Sequence, residues 1–140
     1  MKIILPGIFT ALLLVSSCIP EDVGPQMRQD AEAKVRGPWK VDKIIDQVYD
    51  PISTLHSTTE YVGNTGDYYI FNTGNLLSIT TQPAGEVEKN YHVINPHQVM
   101  IGSEVWRIDT LTDTHLLLIK DLNKVVENKR YVSKVYLKRL

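Results

Sequence analysis

Few residues of this 140-residue chain have side chains able to act on another molecule. It has one cysteine, Cys18, and four histidines, His56, His92, His97 and His115. The histidines fall in separate segments, with neither a His-x-His nor a His-Glu-x-x-His spacing to put two ligands on one face, so no metal centre is predicted. Hydroxyls crowd around His56, at Ser53, Thr54, Ser57, Thr58 and Thr59, but no glycine elbow and no acid–base partner accompany them. A turn-rich composition accounts for them. No glycine-rich phosphate cradle is present either. The chain therefore predicts no catalytic residue and no cofactor, and it does not read as an enzyme. The lone thiol is the exception. In an oxidising compartment an exposed unpaired cysteine invites intermolecular pairing, and committing it to a covalent attachment removes that hazard.

The residues before Cys18 say what the attachment is. Met1-Lys2 precedes an apolar run from Ile3 to Val15, then Ser16-Ser17-Cys18. A basic start, an apolar stretch and small residues before a cut form the three-part pattern of a secretory signal. The run falls short of the roughly 20 residues needed to span a bilayer. Val15-Ser16-Ser17-Cys18 resembles the lipobox of bacterial lipoproteins, with Val15 and Ser17 in place of the preferred Leu and Gly or Ala. The resemblance implies cleavage between Ser17 and Cys18 and acylation of Cys18 with chains such as palmitate. It makes the membrane the first partner and the bacterial cell envelope the location, at the outer membrane, facing either the periplasm or the surface. Each buried acyl methylene contributes about 0.8 kcal/mol and one chain binds only marginally, so the several chains of that family would make the anchor lasting. Ordinary secretion with cleavage elsewhere is the competing reading. A cytosolic chain is disfavoured by the polar, turn-rich Pro20-Glu21-Asp22-Val23-Gly24-Pro25.

Charge narrows the partners further. Sixteen acidic residues against fifteen lysines and arginines give a net charge of −1, without the basic excess of a nucleic-acid surface. The length fits one domain able to bury a core without disulfides.

The elements that carry these residues follow in order. Residues 1–17 read as the signal peptide. Residues 18–36 read as the lipidated cysteine, a tether and a short helix from Gln26 to Val35, with Pro25 ahead of it and Gly37 just past its end. Glu21-Asp22 is compatible with a surface-export signal of some Bacteroidetes lipoproteins and equally with a solvated linker. From residue 37 the pattern is all-β. Eight short segments rich in β-branched and aromatic residues alternate with turns, and Trp39, Val41 and Ile45 are assigned to the inner face of the first. Pro51 to Gly66 reads as a long polar connection, the length of a lid or binding loop. A consecutive antiparallel series is most simply closed as an up-and-down barrel, with a two-sheet sandwich as the alternative.

The domain over residues 37–140 resembles the lipocalin-like domains of small Bacteroidetes lipoproteins. Gly37-Pro38-Trp39 matches the Gly-x-Trp at the start of the first lipocalin strand. Tyr69-Ile70-Phe71 followed by Asn72-Thr73-Gly74-Asn75 is similar to that group's aromatic strand and glycine turn. Trp106 to Thr112, followed by Leu116-Leu117-Leu118, is similar to its closing hairpin. The resemblance implies an eight-stranded lipocalin-like barrel with Gly37, Trp39, Phe71, Gly74 and Trp106 in structural roles. Ligand binding does not carry over with the fold; if the barrel holds a ligand, Trp39, His56 and Tyr69 are the residues expected to face it. The C-terminal helix and disulfides of animal lipocalins are absent. Strands this short make a barrel only about 17–26 Å tall. Such an interior is either filled by side chains or holds one small ligand. Two functions follow: an anchored module binding a small apolar or amphipathic ligand, or a solid structural or inhibitor-like barrel that meets an envelope protein.

Overall fold

The computed structural model of the protein describes residues 24–51, 53–124 and 128–140, with the side chains of Asn123 and Lys124 left aside. The expected signal peptide, Cys18 and the start of the tether lie outside the described residues. Helix α1 spans Pro25–Val35, with proline at its first turn, where a missing N–H costs nothing. Nine strands follow: β1 Gly37–Tyr49, β2 Leu55–Val62, β3 Tyr68–Phe71, β4 Leu76–Thr81, β5 Gly85–Asn95, β6 Gln98–Ile101, β7 Glu104–Leu111, β8 His115–Lys124 and β9 Lys129–Arg139. From β3 to β9 each strand pairs antiparallel with the next, β3 also pairs with the start of β1, and β9 returns to β1. The fold is therefore mostly β: a closed eight-stranded antiparallel barrel of β1 and β3–β9, preceded by one short helix.

The ninth strand corrects the expected loop. Within the stretch 51–66, Leu55–Val62 forms β2 and pairs with the second half of β1, from Lys43↔Val62 to Tyr49↔Leu55. β3 occupies the same edge of β1 earlier, through Gly37–Lys40. β2 and β3 thus share one edge in succession, and β2 carries a hairpin beyond the barrel. Its sequence hid it because nearly all of it is exposed on both faces, so no apolar alternation marks it. The paired β1 edge and the threonines, which suit extended backbone, favour it instead.

Gly63 ends β2 where the chain crosses close over β1. A Cβ there would lie 2.0 Å from the Val41 carbonyl oxygen, so only glycine fits this approach. The next turn is pinned by Asp67, fully buried, whose carboxylate accepts from the Tyr61 hydroxyl at 2.6 Å and from the backbone amides of Asn64 at 2.6 Å and Gln82 at 2.7 Å. Burial pushes this carboxyl up, but the three donors outweigh it and hold it below the usual carboxylate range. One side chain thereby ties β2, β3 and the β4–β5 turn together.

The inner face also differs from expectation in one place. The β1–β9 register runs Val41↔Leu137 and then Lys43↔Tyr136, leaving Asp42 as an extra residue. Such a bulge reverses the faces beyond it. Ile44, opposite Val135, joins the core, while Ile45 pairs with Lys134 on the outside.

Candidate functional site

The two ends of the barrel are built differently. At the end where β1 begins, the lumen is filled by Trp39, Phe71, Leu77, Leu116, Leu118 and Leu137, all essentially inaccessible. Phe71 and Tyr91 meet edge to face, with ring centroids 5.0 Å apart. Helix α1 covers this end with Ala31 and Val35. The Trp39 indole N–H donates to the Val35 carbonyl at 2.7 Å. The Arg139 guanidinium lies 3.8 Å from the centroid of the Trp39 ring and donates to the Arg36 and Lys34 carbonyls. Those carbonyls belong to the last turn and exit of α1, where backbone acceptors lack intrahelical partners. Trp39 is thus a plug locked between helix and arginine. This corrects the expectation of a ligand-facing tryptophan near an opening: the residue is completely buried under α1. Gly37 and Gly74 take positive φ, at +109° and +84°, at the start of β1 and in the β3–β4 turn.

Towards the other end the inward alternation continues, but its residues change character. Ile44, Val135 and Leu118 form one row across β1, β9 and β8. The next row on the same face is Asp46, Ser133 and Lys120, and the one after is Val48, Tyr131 and Leu122. These two outer rows, with Gln47 and Val132, line a cavity of about 360 Å³. The Ser133 hydroxyl donates to Asp46 Oδ1 at 2.5 Å. Lys120 reaches the other way, to both Glu104 oxygens at 3.1 Å, with its ammonium 4.9 Å from the centroid of the Trp106 ring. Trp106 is half-buried against the core from the inner face of β7. Its Nε1 and the Gln47 Oε1 are buried without a hydrogen-bond partner among the described residues. Tyr69 is buried nearby, and burial first, then the Asp46 charge, pushes its hydroxyl up to about 12.

His56, the third residue expected to face a ligand, stands on exposed β2, with Nδ1 3.8 Å from an Asp50 carboxylate oxygen. It does not line the cavity. The other histidines are exposed on separate elements, and among the described residues no three acidic, histidine or cysteine side chains gather in a metal-holding group. A second hollow of about 340 Å³ lies at the covered end, between α1 and the end of β7, lined by Met27, Ala31, Lys34, His97, Ile108 and Leu111, among others. The lumen residues Asp46, Ser133, Lys120 and Glu104 were not singled out from the sequence. The signal was there: a two-residue step from Leu116 and Leu118 reaches Lys120 and Leu122, and from Leu137 and Val135 it reaches Ser133 and Tyr131.

No family model matches the chain, and no curated protein matches its sequence. Among solved structures, a bovine odorant binding protein, a deswapped triple mutant, is similar with a TM-score of 0.45 and 12% sequence identity, over 76% of this chain and 74% of that one. The assignment of a closed barrel stands on the strand ladder itself, from β1 round to β9 and back.

Proposed function

We propose that this protein is a lipid-anchored barrel of the bacterial envelope, held to the outer membrane through Cys18, that keeps a small amphipathic ligand at its open end and catalyses no reaction. The observation that carries the binding half is the cavity of about 360 Å³ between the Asp46–Ser133–Lys120 and Val48–Tyr131–Leu122 rows. Ligand sites are concave, mostly apolar and marked by a few placed polar groups, and volumes from about 300 Å³ upward suit small molecules. The lumen below is packed solid, so the ligand is short. The anchoring half rests on the lipobox-like Val15–Cys18 alone.

One experiment tests both halves. Native mass spectrometry of protein extracted gently from its own membrane should show a chain beginning at Cys18 with acyl chains added, carrying one small molecule per barrel. An unmodified thiol would overturn the anchor. Repeatedly empty barrels would overturn the ligand.

β2 favours a second reading. Among the described residues β1 is its only strand neighbour, it is exposed along almost its whole length, and unpaired strand edges accept a partner's strand. In that reading the barrel meets an envelope protein instead, and the same extraction would retain a protein rather than a small molecule.

A further inference from the structure

We propose that the ligand held at the open end is a cation: an amine with a short apolar body whose ammonium sits on Asp46. This rests on the ligand-holding reading above and names the class of molecule. Two charged side chains line the cavity, Asp46 and Lys120. Lys120 is already matched, because both Glu104 oxygens lie 3.1 Å from its nitrogen and its ammonium rests over Trp106. Asp46 is not matched. Its partner is the Ser133 hydroxyl at 2.5 Å, and no described lysine, arginine or histidine forms an ion pair with it, although it is exposed. The cavity wall therefore carries one uncompensated negative charge.

The hydrogen-bonding inventory agrees in sign. An ionised carboxylate only accepts, and Ser133, having given its proton to Asp46, offers its remaining lone pairs. The Asp46 carboxylate and the Ser133 lone pairs suit the N–H groups of an ammonium, whereas an anionic ligand would face Asp46 across a short gap. The order of the rows sets the pose. Asp46 and Ser133 stand one ladder step nearer than Val48, Tyr131 and Leu122 to the packed Ile44–Val135–Leu118 row, which closes the lumen beneath. The ammonium enters first, and the apolar body stays between the three side chains of the outer row.

Calorimetric titration at low ionic strength with n-hexylamine, hexan-1-ol and hexanoate tests this, on the wild type, Asp46→Asn and Leu122→Trp. The wild type should bind hexylamine best. Asp46→Asn should weaken hexylamine about tenfold or more, the scale of one lost charge-assisted hydrogen bond, and leave hexan-1-ol within about twofold. Leu122→Trp, which fills the cavity without touching Asp46, should abolish binding of all the probes. Hexan-1-ol or hexanoate binding as tightly as the amine would overturn the cationic class while the cavity remained a binding site. Silence from all the probes would overturn the class and the cavity together. Undiminished amine binding in Leu122→Trp would place the amine elsewhere on the protein and sink the assignment.

Discussion

The covered end and the open end of this barrel are built from the same strands, yet one end is packed solid and the other is left open. At the covered end the lumen is packed with aliphatic and aromatic side chains, the Tyr91 hydroxyl donates to the Asn72 carbonyl, and the Trp39 indole N–H is satisfied by the Val35 carbonyl. At the open end the same inward alternation delivers the row Asp46, Ser133 and Lys120, with Glu104 reaching Lys120 from β7, polar groups that a packed core would exclude. These groups are exposed or half-buried, and Lys120 and Glu104 pair with each other across β7 and β8. What the difference teaches is that the lumen changes character between adjacent rows, one ladder step apart.

Breaking the covered end should have the largest effect. Trp39→Ala removes the plug, the hydrogen bond to α1 and the surface on which Arg139 stacks, and should cost about 3–5 kcal/mol in urea denaturation. A change within experimental error would show that α1 and Trp39 do not close the barrel. The Asp67 pin should come next. Its carboxyl is held below its ordinary range in the folded state, so its contribution is complete above the unfolded value of about 3.9 and is lost as pH falls through the folded value. Asp67→Asn should cost about 1–3 kcal/mol at neutral pH and flatten the acid limb of a stability profile between pH 6 and 2. An unchanged acid limb would mean that other carboxylates set it.

The open end should be the least sensitive. Asp46→Asn should alter stability by no more than about 0.5 kcal/mol, as befits an exposed residue outside the packed lumen. Its signature is spectroscopic instead. Tyr69 keeps its proton to about pH 12, so the tyrosine absorbance change on alkaline titration should include one late component. The sign follows from the raised folded value: Tyr69 contributes stability fully below pH 10 and loses it as pH rises towards 12. Removing the Asp46 charge should move that component earlier by a fraction of the shift, because burial is the larger cause. No movement at all would separate Asp46 from the lumen.

The sequence made the framework legible where alternation and turn chemistry agree. The barrel strands lie where short β-branched runs are punctuated by Asn72–Asn75, Gln82–Gly85, Asn95-Pro96 and Gly102-Ser103, and α1 lies between Pro25 and Gly37, as expected. β2 was invisible because a strand exposed on both faces leaves no period-two pattern. The extra residue at Asp42 moved the inward position from Ile45 to Ile44, and a single inserted residue leaves no mark in composition. The candidate site was harder still. Asp46 and Lys120 were not singled out, because a polar residue after an apolar run ordinarily marks the solvent side. The two-residue step reaches Lys120 and Ser133, but only the ladder, with its bulge at Asp42, puts Asp46 in one row with them above Val135.

The contrast between the two ends is tested most directly by a crystal structure of the protein grown with n-hexylamine. The account predicts density between Asp46 and the Val48–Tyr131–Leu122 row, with Trp39 still stacked on Arg139 beneath α1. Density in the hollow beside α1 alone, or a lumen that stays empty at saturating amine, would contradict it.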